Sequence, residues 1–200
     1  MSIRAAFFDL GGVLLRTEDR GPRTLLAHNL GMTYEQIDRA VFQNESCLKA
    51  SMGLITESLH WQNVAASLGL GQKQVEALQT GFFAGDRLDS DLLALMRNLH
   101  QHLKIGLISN AWSGMRGWIS EQNLADLFDD ITLSAEIGLV KPDARIYQHA
   151  MACLQVSPQE SIFVDDTLKN VEAAQALGMH GIHFTDPELA KSEIRKFVGT

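Results

Sequence analysis

The stretch FFDLGGVLL, residues 7–15, runs out of an apolar segment into one carboxylate, Asp9, and then into Leu10 and two glycines. IRAAFFDL, residues 3–10, reads as a short buried strand bounded by Gly11 and Gly12. Glycine serves a tight turn that needs positive φ, and it also lets the backbone approach a ligand closely. An acid at the end of a buried strand, followed by such a turn, raises the question of what else arrives at that point.

The rest of the chain supplies further strand ends. LKIGLISN (103–110) is a strand that ends in Ser109-Asn110, a third strand lies near 131–134, SIFVDD (161–166) ends in Asp165-Asp166, and MHGIHF (179–184) is a fifth. Helical stretches separate them: DLLALMRNLH capped by Ser90, SGMRGWISEQNLADLF, a helix opened by Pro142, TLKNVEAAQALG stopping at Gly178, and a last helix capped by Asp186-Pro187. This alternation predicts an α/β fold, a Rossmann-like parallel sheet covered on both faces. Sheets of this kind bind ligands beyond the carboxyl ends of their strands.

Residues 19–83 differ, because their pattern is helical throughout. Thr33 begins the capping box T-Y-E-Q, followed by Ile37, Ala40, Val41 and Leu48 at near-helical spacing. Thr56 caps a helix that stops at Gly69 and carries the apolar stripe Trp61, Val64, Ala65 and Leu68; QKQVEALQTGFF adds a shorter one. The expected organisation is a core of residues 1–15 and 87–200 with an inserted all-helical cap over 16–86.

Composition narrows the function. The 200 residues carry a net charge of −7 and no basic cluster, which argues against a nucleic-acid surface. No run of about 18 apolar residues predicts a membrane span. Cys47 and Cys153 have no metal or redox spacing, so a reduced, cytoplasmic setting is expected. A monomer and a homodimer are equally compatible with the sequence.

Asp9, Asp165 and Asp166 repel one another if the strand ends converge, and together they call for a cation. Oxygen-only ligands favour a hard ion such as Mg²⁺. Lys141, in the loop after the third strand, adds a fixed positive charge, while Ser109 and the backbone near Asn110 can donate to phosphate oxygens. A nucleophile, a metal, a lysine and donors make up the inventory of phosphoryl transfer, and a carboxylate nucleophile is one covalent route to it.

FDLGGVL, LISN, KP and FVDD stand in the order of the four motifs of the haloacid dehalogenase-like (HAD) superfamily, and the chain resembles that family over its core. The resemblance implies that Asp9 is the nucleophile, with Lys141 as its catalytic partner. Ser109, Asn110 and Lys141 hold the substrate phosphate. Asp9, the Gly11 carbonyl and Asp165 ligate Mg²⁺, with Asp166 assisting directly or through water. The segment between motifs one and two resembles the family's small helical cap. The implied substrate is a small phosphorylated metabolite.

One position departs from the pattern. Phosphatases of the family usually carry a second Asp two residues after the nucleophile, and here that position is Gly11. General acid–base help is worth ~10²–10⁴-fold. A subgroup resembling bacterial sugar-1-phosphate phosphatases also has glycine there, so anomeric or acyl phosphates such as sugar phosphates are expected. Glu18 and Asp19, just past motif one, are candidate substitutes for the missing acid.

Three other readings compete. A 2-haloacid dehalogenase uses the same Asp on carbon without metal, but lacks the paired acids. A signalling receiver places its acid pair at the first strand. A catalytically weak regulatory or binding protein finds support only in Gly11. Asn170 either orients the acid pair or is a surface residue. Trp61 is read as cap core, Trp112 as a candidate for the pocket mouth, and His100, His102, His180 and His183 as structural or solvent-exposed.

Overall fold

The computed structural model describes residues 2–199. Five parallel strands form the central sheet: β1 (Ala5–Phe8), β4 (Lys104–Ser109), β5 (Asp130–Leu133), β6 (Ser161–Asp165) and β7 (His180–His183), in the order β5-β4-β1-β6-β7. Each strand sits where its apolar run predicts. β2 (Leu15–Thr17) and β3 (Asp86–Leu88) pair antiparallel outside the sheet.

The twofold period of β1 divides its side chains between two cores. Ala6 and Phe8 face a cluster with Leu92 and Met96 of α6 (Ser90–Leu99) and Ile194 of α11 (Pro187–Val198). Ala5 and Phe7 face Ile146, Tyr147 and Ala150 of α9 (Ala144–Leu154) and Ala174 of α10 (Leu168–Ala176). Both faces of the sheet are therefore covered, and every residue of β1 and β6 is buried. The α/β class follows as expected.

Between β2 and β3 the chain forms α1 (Gly21–Asn29), α2 (Tyr34–Phe42), α3 (Glu45–Ser51), α4 (Glu57–Ser67) and α5 (Val75–Phe83). They enclose a separate apolar cluster containing Ile37, Val41, Trp61, Val64, Ala65 and Phe82. Thr33 and Gln36 complete the predicted capping box, and Thr56 accepts from the Leu59 N–H at 3.2 Å. Each such cap satisfies an orphan donor of the first helical turn.

The structure corrects several local expectations. Asp89, not Ser90, caps α6, accepting from the Leu92 N–H at 2.8 Å. The helix opened by Pro142 starts one residue later than its sequence suggests, because Asp143 caps α9. The helix predicted over 113–128 is only α7 (Met115–Glu121), because Asn123 turns left-handed at φ 55° and a short 3₁₀ turn follows at Ala125–Leu127. After β5 the chain turns at once into α8 (Ser134–Ile137). Leu48 does not continue the α2 stripe: the chain breaks at Gln43, Asn44 caps α3, and Leu48 is 53% exposed. Of the two glycines after Asp9, Gly12 has positive φ, at 78°, and Gly11 does not.

Candidate active site

β1 lies between β4 and β6, so the carboxyl ends of these three strands are neighbours. Asp9 follows β1 directly, Ser109 ends β4 and Asp165 ends β6. The turn from α8 to α9 delivers Lys141 to the same point. Its ammonium lies 2.6 Å from Asp165 Oδ2 and 2.9 Å from Asp9 Oδ2. All three side chains are almost wholly buried.

The remaining lone pairs are assigned. The Leu10 N–H donates to Asp9 Oδ1 at 2.7 Å. Asp165 accepts from the Thr167 N–H at 2.8 Å and from Asn170 Nδ2 at 3.1 and 3.2 Å, in addition to Lys141. Asn170, for which both readings were open, thus orients the acid. The Tyr147 hydroxyl in turn donates to the Asn170 carbonyl at 3.0 Å. Asp165 is fully buried among these donors, whereas its neighbour Asp166 faces a cavity. Asp166 packs over Gly12, where a Cβ would overlap its carboxylate.

One oxygen each from Asp9, Asp165 and Asp166 falls within a 4.8 Å cluster. Three carboxylates around one ammonium leave net negative charge and an all-oxygen donor set, which suits a hard divalent cation. Burial pushes the Asp9 carboxyl up to about 6; Lys141 opposes that rise and Asp165 adds to it. Burial also raises Asp166, with the charge of Asp165 reinforcing it.

Asn110 and Ser134 hold the loops. Asn110 Oδ1 accepts from the Lys141 N–H at 2.7 Å and its Nδ2 donates to the Lys141 carbonyl at 3.0 Å. Ser134 accepts from the Ala111 N–H at 3.0 Å and donates to the Ala111 carbonyl at 3.2 Å. Sequence reasoning missed Ser134, since a lone serine in an apolar strand pattern carries no signal.

Asp9, Asp166 and Lys141 open onto a cavity of about 1040 Å³ between the sheet and the inserted helices. Trp112 lines it, its ring 4.4 Å from that of His60 and 5.8 Å from that of Trp61. Trp61 itself is 1% exposed core. Phe42, Leu48 and Phe83 stand on the insertion side of the wall, and sequence reasoning marked none of them as lining a pocket.

Glu18 and Asp19 do not reach the cavity. Glu18 pairs with Arg16 at 2.6 Å, and Asp19 accepts from the Gly21 N–H at 2.8 Å. The histidines stay outside the acid cluster: His100 pairs with Asp129 at 3.1 Å, and His183 Nε2 lies 2.9 Å from the Asp166 carbonyl. No helix among the described residues is long and apolar enough to cross a membrane.

Residues 3–178 match the family model described as haloacid dehalogenase-like hydrolase. A sesquiterpene phosphatase of Aspergillus oryzae is 31% identical over 205 aligned positions, covering 99% of this chain and 98% of its own length. The bifunctional epoxide hydrolase 2 of Rattus norvegicus is 24% identical, and this chain spans 40% of it. Among solved structures, a HAD family enzyme of Bacteroides thetaiotaomicron in complex with magnesium and inorganic phosphate superposes with a TM-score of 0.74 at 24% identity, over 91% of this chain and 94% of its own. An L-2-haloacid dehalogenase gives 0.72 at 20% identity over 100% of both chains. At these identities the structural likeness speaks for the fold.

Proposed function

Since the chain belongs to the haloacid dehalogenase-like hydrolases, we propose that it is a Mg²⁺-dependent phosphatase working through a phospho-Asp9 intermediate. The observation that carries this reading is Lys141 held between Asp9 and Asp165 while Asp166 faces the cavity. A dehalogenase needs no such surplus of carboxylates, and the phosphatase name of a full-length relative points the same way.

Asp9 attacks phosphorus through a carboxylate oxygen; the new O–P bond forms as the bond to the leaving oxygen breaks. Lys141 keeps Asp9 ionised and placed, against a burial that otherwise favours its protonated form. Ser109 and the Asn110 backbone N–H donate to the phosphate; the Asn110 side chain is committed to the Lys141 backbone. Water then cleaves the acyl phosphate, releasing inorganic phosphate and restoring Asp9. The resemblance implies Asp165 as a ligand with Asp166 assisting; we reverse these two. Asp9 and Asp166 with the Gly11 carbonyl would hold the cation. Asp165, engaged by Lys141, Thr167 and Asn170, adds its charge and anchors Lys141. Bound there, Mg²⁺ supplies neutralisation of phosphate charge.

No acid at position 11 protonates the leaving oxygen, and Glu18 and Asp19 are turned elsewhere. The reading therefore favours esters whose leaving group needs little proton help, such as anomeric or acyl phosphates. A sugar 1-phosphate meets that demand, and the sesquiterpene phosphatase places an apolar phosphate beside it as a candidate.

The test is hydrolysis of p-nitrophenyl phosphate with Mg²⁺ or with EDTA, by wild type and Asp9→Asn. Turnover that needs the metal and vanishes in Asp9→Asn supports the reading. Equal rates in EDTA would sink it and revive the dehalogenase.

A further inference from the structure

The walls of the cavity discriminate between candidate substrates. The insertion presents Phe42, Leu48 and Phe83 to it, and the sheet side presents Trp112 and Met115. Phe42 is 41% exposed and Leu48 53%, although large apolar side chains gain by leaving water. Both stand on the wall facing the acids, so an apolar body seated there would cover them.

Two polar side chains on the same walls, Asn44 and Thr17, are spent, while the Gln43 amide makes no side-chain hydrogen bond among the described residues. Asn44 Nδ2 donates to the Ala40 and Val41 carbonyls, and its Oδ1 accepts from Cys47 N and Ser46 Oγ. Thr17 Oγ1 donates to Asp86 at 2.7 Å. A sugar could replace part of its lost hydration at Gln43 but not at Asn44 or Thr17, and unpaired buried hydroxyls are costly.

The lining cations are spent as well. Arg16 pairs with Asp89 and Glu18, both at 2.6 Å. Arg23 pairs with Asp38 at 2.9 Å and Asp86 at 3.2 Å, and its guanidinium also donates to the Phe82 carbonyl and the Tyr34 hydroxyl. A second phosphate or a carboxylate on the substrate would meet no unpaired arginine.

From these walls we infer that the cavity takes a single phosphate carried on an apolar body, in preference to a sugar phosphate or a diphosphate. The inference rests on the phosphatase reading and names its substrate class. Phe42 and Leu48 are then the residues that set selectivity for the body.

Non-hydrolysable n-alkyl phosphonates from ethyl to decyl test it, both as inhibitors of p-nitrophenyl phosphate turnover and by calorimetry on the Mg²⁺-loaded protein. Affinity should rise with length by up to about fourfold per methylene. Glucose 6-phosphate and decyl diphosphate should bind more weakly than hexyl and decyl phosphonate respectively. The slope should flatten in Phe42→Ser and Leu48→Ser and persist in Leu25→Ser, a control residue that is 62% exposed and outside the lining. A flat length series, or tighter binding of the sugar phosphate or diphosphate, overturns the inference. Calorimetry keeps the two questions apart: a length-dependent affinity without any turnover would preserve the pocket assignment and refute the phosphatase.

Discussion

Asn110 grips Lys141 at two points, accepting from its backbone N–H at 2.7 Å and donating to its carbonyl at 3.0 Å. The end of β4 and the loop that carries the ammonium thus move as one piece. Asn110→Leu keeps the side-chain volume and removes both bonds. Misplacing a reacting group by about 1 Å costs on the order of 10²-fold. A kcat for p-nitrophenyl phosphate lowered to that degree, with the fold intact by circular dichroism, is the expected outcome; an unchanged kcat would show that Lys141 is held by its carboxylates alone.

The two glycines after Asp9 should respond in opposite ways to a side chain. A Cβ at Gly11 meets nothing within 4 Å, and its φ is not positive. Gly11→Asp should therefore fold and raise kcat/KM on unactivated alkyl phosphates, toward the ~10²–10⁴-fold that a general acid supplies. At Gly12 the backbone is left-handed and a Cβ would overlap Asp166. Gly12→Ala should lower Mg²⁺ affinity by calorimetry. Gly11→Asp that folds and binds Mg²⁺ yet gains no rate would remove the missing acid as an explanation of substrate choice.

Metal should stabilise as well as activate. Ligand that binds only the folded state adds RT ln(1 + [L]/Kd), about 2.7 kcal/mol at a hundredfold excess over Kd. Mg²⁺ should raise Tm of the EDTA-treated wild type, and the rise should shrink in Asp166→Asn. In Asp165→Asn the metal-free protein itself should lose stability, because Lys141 keeps only Asp9 in a buried setting. A Tm that ignores Mg²⁺ in the wild type would count against the acid cluster as a cation site.

The sheet and the acids were legible because apolar runs of strand length end in polar residues, and parallel order brings those ends together. Asp9, Ser109 and Asp165 follow from that rule alone. Lys141 sits in a loop, marked by its place after the third strand and by its charge among the acids, with the motif order adding its role. Apart from Trp112, the cavity wall was not legible: Phe42 ends one helix and Leu48 lies in the next, and they share a face only because the chain breaks at Gln43 and Asn44 restarts it. Their exposure looks like ordinary surface until the sheet is placed opposite. Asn110 was legible as a strand end, but its commitment to Lys141 depends on a loop 31 residues away in sequence.

His60 gives the insertion a pH response separate from that of the acids. It is fully buried on α4, with Nδ1 2.7 Å from Ser46 Oγ. Ser46 Oγ lies also 2.9 Å from Asn44 Oδ1, which can only accept, so the hydroxyl proton goes there and His60 Nδ1 carries its own. Nε2 has no partner among the described residues. Burial lowers the imidazole from 6.5 to about 4. The unfolded chain thus takes up a proton near 6.5 that the folded chain refuses until about 4. The stability contributed by neutral His60 is complete above the upper value and falls by about 1.4 kcal/mol per pH unit between the two. Urea denaturation of wild type and His60→Leu at pH 7, 6 and 5 reads this directly. The leucine variant should be less stable at pH 7, having lost the bond to Ser46, and should close the gap as pH falls. Curves that descend in parallel would place the imidazole's pKa near its ordinary value, and the buried site would then tolerate the charge.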